Sequence, residues 1–477
     1  MALRQLSGYE FTDFQHELED LNQTHTNVIR REPGVTYHDE YALEELSQIK
    51  PMLYEQFVEN WSRSYYSGSH HLKAILQYGE PNIPITNLNQ RVYQQAVEAV
   101  RERLRSLPIV RAFSILTDLD QVSYESSSAA GYGYDGTKGP FGGTNHKRAI
   151  HRAKATLWSA IRSEDEGIEH VIRTAVPDIG YTRTQLTDIR EKLKVRGVWG
   201  RAFHYILLEG LTAQPLLEAF KQGTTFLHIG TDPTVSVPII LSHIARDCEW
   251  IYALDWSSFD ATASRFEIQA AFDLLKEVIQ FPDFETEQSF EISRQLFIHK
   301  KIAAPDGKIY WSHKGIPSGS YFTSIIGSII NRTRVEYLWR LIKDTGPEIC
   351  YTQGDDSISG DNDRISPYTM TDVIANTGWI LNPEKTVVSR YTNQVTFLGR
   401  TSRGGLNERD LKRCLKLLIL PEYPIPSGSI SAYRATSISE DCGGTSQVLD
   451  EIARRLRRKY GIAPEDEVPR YLKIYRF

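Results

Sequence analysis

An apolar run that stops at an aspartate, and a Gly-Asp-Asp tripeptide set between two more such runs one hundred positions later, constrain this 477-residue chain more than any other feature. The first run, EWIYALDW (249–256), reads as a buried strand with Asp255 at its end and Asp260 just past the turn. The second, EICYTQGDDSISG (348–360), reads as strand, tight turn, strand, with Asp355 and Asp356 at the tip. Gly354 suits that tip because glycine takes positive φ at little cost. Asp and Gly favour turns, so the tripeptide by itself is compatible with an ordinary surface turn. Three carboxylates at neighbouring strand ends are harder to explain that way, since like charges held together are costly without a cation.

Phosphoryl transfer to a hydroxyl asks for such a set. Two divalent ions about 4 Å apart activate the attacking oxygen and neutralise the leaving group. Magnesium prefers hard oxygen ligands and keeps coordination sites for substrate phosphates. Asp255, Asp355 and Asp356 are therefore candidate ligands for two Mg2+ ions, with Mn2+ as a substitute.

The remaining sequence frames these strands. Hydrophobic residues make up 40% and charged residues 24%, which fits a globular chain and excludes a mostly disordered one. The net charge of -5 does not advertise a nucleic-acid partner, but such binding needs a basic channel rather than a basic protein. Cys248, Cys350, Cys414 and Cys442 lack CxxC spacing, so zinc and a disulfide framework are poor readings. No run approaches the ~18 apolar residues of a membrane span and the N-terminus has no apolar leader, so the expectation is a soluble, intracellular protein without a membrane partner. Residues 1–110 look largely helical, with apolar periodicity at 40–60 and 88–107. A Ser/Gly/Tyr-rich loop at 126–143 precedes a basic helical stretch at 145–163. Helices are expected at 261–279 and 321–342, and a hairpin at 300–311 around Pro305-Asp306-Gly307. The last seventy or so residues read as helical and carry the basic run RRLRRKYG (454–461).

Taken in order, Asp255 with Asp260, then Ser318-Gly319 with Thr323, then Gly354-Asp355-Asp356 resemble motifs A, B and C of viral RNA-dependent RNA polymerases. The resemblance extends over about residues 124–400 and is nearest to the partitivirus group, small double-stranded RNA cryptic viruses of plants and fungi, within the picornavirus-like polymerases. It implies that SSSAAGYGY (126–134) is motif G, with Ser128 and Gly131, joined by Gly319, guiding template. IREKLKVRGVWGR (189–201) resembles motif F, in which Lys192, Lys194 and Arg196 fall on one side of an extended segment. Lys194, Arg196 and Arg201 would hold the incoming triphosphate. Asp260 would sense the ribose 2′-hydroxyl, or simply cap a helix before Ala261; both roles are compatible.

In motif B, Ser318 and Thr323 would approach the nucleotide. Many picornavirus-like polymerases carry Asn where Gly327 stands; Asn331, one turn later, is either a ribose reader or a buried packing amide. WILNPEKTVVS (379–389) resembles motif D, making Lys385 the general acid for departing pyrophosphate, and QVTFLGR (394–400) resembles motif E. The basic run at 454–461 would touch product duplex or form an exposed charged helix.

The implied fold is α+β, a closed right-hand polymerase of fingers, palm and thumb, with an antiparallel palm sheet backed by helices. The expected divisions are 1–245 for an N-terminal extension and fingers, 246–281 and 313–400 for palm, 282–312 for a fingers insertion and 401–477 for thumb. The implied function is template-directed addition of ribonucleoside triphosphates to RNA, replicating and transcribing a double-stranded RNA genome. RNA template, product duplex and capsid protein would be partners, in the virion interior and host cytoplasm. A reverse transcriptase, a metal-dependent nuclease and a non-catalytic RNA-binding protein are the rival readings. Asp260 argues against the first, because a bulky residue would be expected there to exclude ribose.

Overall fold

A computed structural model describes residues 3, 5–6, 8–26, 36–63, 67–162, 167–183, 185–191, 193 and 195–473. At its centre lies a four-stranded antiparallel sheet, in the order Ile349–Gln353, Asp356–Asp361, Trp250–Ala253, Val387–Ser389. Successive strand side chains point to opposite faces, and here both faces are covered. Tyr252 packs into the large core formed with Thr323–Lys343, Gln90–Leu104 and Arg265–Val278. Ile251 and Ile358 pack against Val237, Leu241 and Ile244 of Pro233–Asp247. Burial on both sides is why EWIYALDW reads as an unbroken apolar run.

The helix Thr323–Lys343 is buried without interruption from Ile325 to Trp339, charged residues included. Those charges are paired: Arg332 with Glu336 at 2.6 Å and Arg334 with Glu267 at 2.6 Å. The helix ends at Asp344, which takes a left-handed φ of 61°.

A second sheet of five strands runs Leu18–Thr24, Lys308–Ser312, Lys300–Ala303, Asp178–Arg183, Arg196–Gly200. Its central hairpin is the one expected around Pro305-Asp306-Gly307, and Gly307 supplies the positive φ of 83° that the turn requires. The helix Phe284–Ile298 leads into that hairpin, and its Ile292 and Leu296 join a core with the basic helix Thr144–Arg162.

A division at residue 245 does not match the packing. Glu40–Ile49 and Pro51–Phe57, expected with the fingers, are built into the core of the C-terminal helices Leu411–Ile419, Gly428–Asp441 and Gln447–Tyr460. Gln90–Leu104 instead belongs to the palm core. The crossing is fastened by Asp39, fully buried, which accepts from the Arg434 guanidinium at 2.7 Å and the Ser431 hydroxyl at 2.8 Å. Just beyond, Trp61–Arg63 pairs with Leu186–Asp188 on the fingers side. The hand is thereby closed by the N-terminal part of the chain. At the other end, Ala463, Val468 and Leu472 pack on Ile430, and Arg470 reaches an ion pair with Glu125 beside the Ser/Gly/Tyr-rich loop.

Arg454 and Arg455 of the basic run pair with Glu451, and Lys459 with Glu44 of the N-terminal helix, while Arg457 and Arg458 are exposed, so the run forms a charged, solvent-facing helix. Among the described residues no helix is long and apolar enough to cross a membrane.

Removing Arg434 would strand a buried carboxylate, a defect that costs about 3–5 kcal/mol. Arg434→Ala is expected to lower the urea-unfolding free energy by that amount, whereas Asp39→Asn with Arg434→Met should lose much less.

Candidate active site

The register of the central sheet decides how the carboxylates meet. Asp356–Asp361 pairs with Trp250–Ala253 through Ser359↔Tyr252, Gly360↔Ile251 and Asp361↔Trp250. Continued toward the tip, that register sets Asp356 abreast of Asp255. Gly354 turns the hairpin at φ 58°, with no atom near enough to obstruct a side chain, so torsion and not space demands glycine there. The main chain of Asp255 is fixed by the motif D segment: its N–H donates to the Thr386 hydroxyl at 3.2 Å and its carbonyl accepts from the Asn382 N–H at 2.9 Å.

The acids sense one another. Lost hydration, then the charges of Asp355 and Asp255, push the Asp356 carboxyl up to about 6. Burial and the charge of Asp355 push Asp260 up to about 6, opposed by the Arg196 guanidinium. Asp355 and Asp356 stay open to the cleft. Among the described residues, no three carboxylate, imidazole or thiol groups are drawn tightly around one point. Repelling carboxylates spaced along two strand ends are a donor set that fits hard divalent cations, which would draw them together.

Beneath the hairpin, Asn331 is completely buried and engages both ends of its amide. Its Nδ2 donates to the carbonyls of Gly354 at 3.0 Å and Asp356 at 3.1 Å, and its Oδ1 accepts from Trp256 Nε1 at 2.9 Å. The packing-amide alternative fits this residue better than the ribose-reading one, since the side chain is wholly buried and both amide hydrogens are spent on the hairpin. One turn earlier, the Ser328 hydroxyl accepts from the Gly354 N–H at 2.9 Å. Asp260 is not the helix cap either: Ser258, with φ 51°, occupies that position of Phe259–Thr262, and Asp260 lies inside the turn.

The motif B loop is moored to motif F. The Ser318 hydroxyl accepts from the Trp199 N–H at 2.9 Å, and a Cβ on Gly319 would fall 2.0 Å from the Trp199 carbonyl oxygen. Gly319 is thus a close-packing residue here, not an exposed template contact. The Thr323 hydroxyl donates to the Pro317 carbonyl at 2.6 Å, shaping the loop rather than facing the cleft. Lys300, buried and held well below the ordinary lysine range by that burial, donates to the carbonyls of Lys314 and Gly315, both at 2.8 Å.

Arg201 lies behind the site. Its guanidinium is buried between Glu209 at 3.2 Å and Asp178 at 3.9 Å and donates to the Leu296 carbonyl at 2.7 Å, so it has no face for a triphosphate. Glu209 also accepts from the Ser320 hydroxyl and the Tyr321 N–H, each at 2.7 Å, coupling Arg201 to motif B. Gly131 is buried too, where a Cβ would meet the Ala202 α-carbon at 2.8 Å. Ser128 is tied into its own loop by Lys138, which donates to its hydroxyl at 2.5 Å. Arg196 is exposed at the start of its strand, on the side where its charge reaches Asp260. Lys385 is exposed on the turn that flanks Asp255. Lys192 and Lys194 lie outside the described residues.

Glu209 and Lys300 were missed in the sequence. The signal for Glu209 was a lone acid within the apolar run FHYILLEGLTA (203–213); a charge there needs a buried partner.

The profile of viral RNA-dependent RNA polymerases matches residues 37–457. This chain belongs to that family. A relative from Cryptosporidium parvum virus 1 (strain KSU-1), an RNA-directed RNA polymerase, is 37% identical over 109 residues, a stretch amounting to 22% of this chain and 20% of that protein. Among solved structures, the RNA-dependent RNA polymerase of a human picorbirnavirus superposes with a TM-score of 0.67 at 16% identity, covering 91% of this chain and 87% of the other. The Sicinivirus 3Dpol RNA-dependent RNA polymerase gives 0.70 at 15% identity, covering 94% and 96%. At such identities the likeness is one of fold, and it is the right-hand polymerase fold, with mixed helix and sheet as expected.

In metal-free protein, carbon-detected NMR should find Asp356 and Asp260 gaining protons as pH falls through about 6. Asp355→Asn should move both midpoints downward by removing a shared like charge. Divalent-ion affinity should fall over the same acidic range, because protons and cations compete for these oxygens. Asn331→Ala, which leaves the buried Trp256 indole N–H and two part-buried carbonyls without their partner, should cost ~2 kcal/mol in denaturant unfolding.

Proposed function

We propose that the protein is an RNA-directed RNA polymerase that adds ribonucleotides to a growing RNA strand on an RNA template. The observation that carries this reading is the register that sets Asp255 abreast of the Asp355-Asp356 hairpin, in a chain whose family match spans both. Two magnesium ions held by Asp255, Asp355 and Asp356 would activate the 3′-hydroxyl and neutralise charge on the departing pyrophosphate, with manganese as a substitute.

The chain's own residues supply position and charge. Arg196 meets the incoming triphosphate from the fingers strand. Asp260, with its carboxyl near 6 and beside Arg196, accepts or donates a hydrogen bond at the ribose 2′-hydroxyl. Ser318 and Thr323 hold the loop that backs the nucleotide. Lys385, on the exposed turn next to Asp255, is the nearest candidate for returning a proton to pyrophosphate, its ammonium reaching into the cleft by side-chain motion. Base choice rests on Watson–Crick pairing, so protein contacts to RNA should be sequence-tolerant and salt-sensitive. The ordered motifs resemble those of the partitivirus group. There it would transcribe and replicate a double-stranded RNA genome within a particle in the host cytoplasm, alongside capsid protein.

Incorporation of labelled ribonucleotide on single-stranded RNA with magnesium tests this reading. Wild type is expected to make template-dependent product with little use of deoxynucleotides, and Asp355→Asn to lose at least 100-fold in turnover, about 3 kcal/mol of transition-state stabilisation. Undiminished product from Asp355→Asn would refute the assignment of the hairpin. Asn331→Ala should slow turnover while leaving the preference for ribose over deoxyribose intact, since its amide serves the hairpin and not the sugar.

A further inference from the structure

The entry to motif B, from Lys314 to Pro317, has each of its carbonyls held by a side chain. Lys300 Nζ donates to the carbonyls of Lys314 and Gly315, each at 2.8 Å, and the Thr323 hydroxyl to that of Pro317 at 2.6 Å. The remaining carbonyl, that of Ile316, accepts from the Tyr78 hydroxyl at 2.8 Å. Lys300 and Thr323 lie within the stretch that carries the ordered motifs. Tyr78 comes from the N-terminal part of the chain, to which no motif assigns any chemistry.

Tyr78 stands where three motifs meet. It is buried in a small core with Trp199 and Ala261. Its ring centroid lies 4.7 Å from that of Trp199 in motif F. Gly315, with φ 82°, presses so close that a Cβ there would fall 2.6 Å from the Tyr78 ring. On its other side the same entry is bonded to the turn that bears Asp260. The Ile316 N–H donates to the Asp260 carbonyl at 2.8 Å, and the Gly315 N–H to the Ala263 carbonyl at 2.9 Å. Lys314 Nζ donates to the Ala261 carbonyl at 2.5 Å.

Ile316 is thus gripped at its N–H by motif A and at its carbonyl by Tyr78, so movement at one bond passes to the other. Burial, and then the charge of Asp260, hold the phenol well above the ordinary tyrosine range, so it stays a donor at any working pH. Arg196 lies within its electrostatic reach as well. A side chain that only filled this core would need no hydroxyl; the buried O–H is present with a carbonyl to answer.

We infer that Tyr78 is a positioning residue for sugar recognition: its hydroxyl fixes the motif B entry and, through Ile316, sets Asp260 at the height of the ribose 2′-hydroxyl. This rests on the reading of Asp260 as the ribose sensor and adds to it a residue from outside the ordered motifs. Misplacement by about 1 Å costs on the order of 100-fold in rate, so a smaller loosening falls below that. The loss should be confined to ribonucleotides, because a deoxyribonucleotide has no 2′-hydroxyl for Asp260 to meet.

Tyr78→Phe keeps the ring and removes the one bond. Hydrogen exchange read by mass spectrometry needs no turnover; over residues 313–319 the Gly315 and Ile316 amides should exchange about tenfold faster than in wild type. Exchange over residues 349–361 should stay as it was, which separates local loosening from unfolding. In single-nucleotide incorporation, kcat/KM for the ribonucleotide should fall about tenfold, while that for the matching 2′-deoxyribonucleotide stays nearly the same. Adding Tyr78→Phe to Asp260→Ala should cause no further loss of ribose preference, because the phenol acts through that carboxylate. Unchanged exchange over 313–319, exchange that rises alike over both segments, an equal fall for both sugars, or additive losses in the double variant overturns the proposal. If Asp260→Ala alone keeps the full preference for ribose, the sensor assignment is what fails, and the role of Tyr78 in sugar recognition falls with it.

Discussion

One buried side-chain amide joins the two segments that bear the acids to the central helix. Asn331 lies on the central helix, accepts from the indole next to Asp255 and donates to the carbonyls on either side of Asp355. The indole N–H is buried and would otherwise be unpaired, and the two carbonyls lie on the inner side of the part-buried hairpin. Because two of its bonds end on the tip of a hairpin turned by a left-handed glycine, the amide also fixes the direction in which Asp355 and Asp356 project. The strand, helix and hairpin are far apart in sequence. Their relative placement to within hydrogen-bond tolerance rests on this residue, with Ser328 as a second tie.

Around that point the molecule separates repulsion from support. The acids at the tip are left mutually repelling, which keeps them receptive to cations. Immediately behind them three buried arginines are answered: Arg334 by Glu267, Arg332 by Glu336, Arg201 by Glu209 and Asp178. Arg334 is further enclosed by Trp256, Phe259 and Trp379, each 4.9 to 5.4 Å from its guanidinium carbon. A rigid, neutralised bed under an unbalanced tip is the arrangement expected of a preorganised electrostatic site.

Much of this was legible before any coordinates. The apolar run that halts at Asp255 required a strand buried on both faces, and Gly354 between two half-strands required a tight hairpin; both are found. What escaped were residues whose meaning depends on a distant partner. Nothing in RGVWGR discloses that Asp178 and Glu209 stand behind Arg201, so a substrate-facing arginine and a buried one look identical. Gly131 and Gly319 read as template-guiding loop positions, yet each is small because another backbone, at Ala202 or Trp199, passes against it. Residues 40–57 showed their helical period but not their destination, because period reports which face is buried and not against what.

That last contact sets an order on the making of the molecule. Asp39 and the apolar faces of Glu40–Ile49 and Pro51–Phe57 leave the ribosome long before Arg434, 395 positions later, which is their partner. At about 5–20 residues per second, the interval is roughly 20–80 s. For that time the N-terminal helices have nowhere to bury, and they must be tolerated by the nascent chain or shielded by a chaperone. The contact between the two ends of the chain can form only after the C-terminal helices have been translated, so it is among the last parts of the fold to be made.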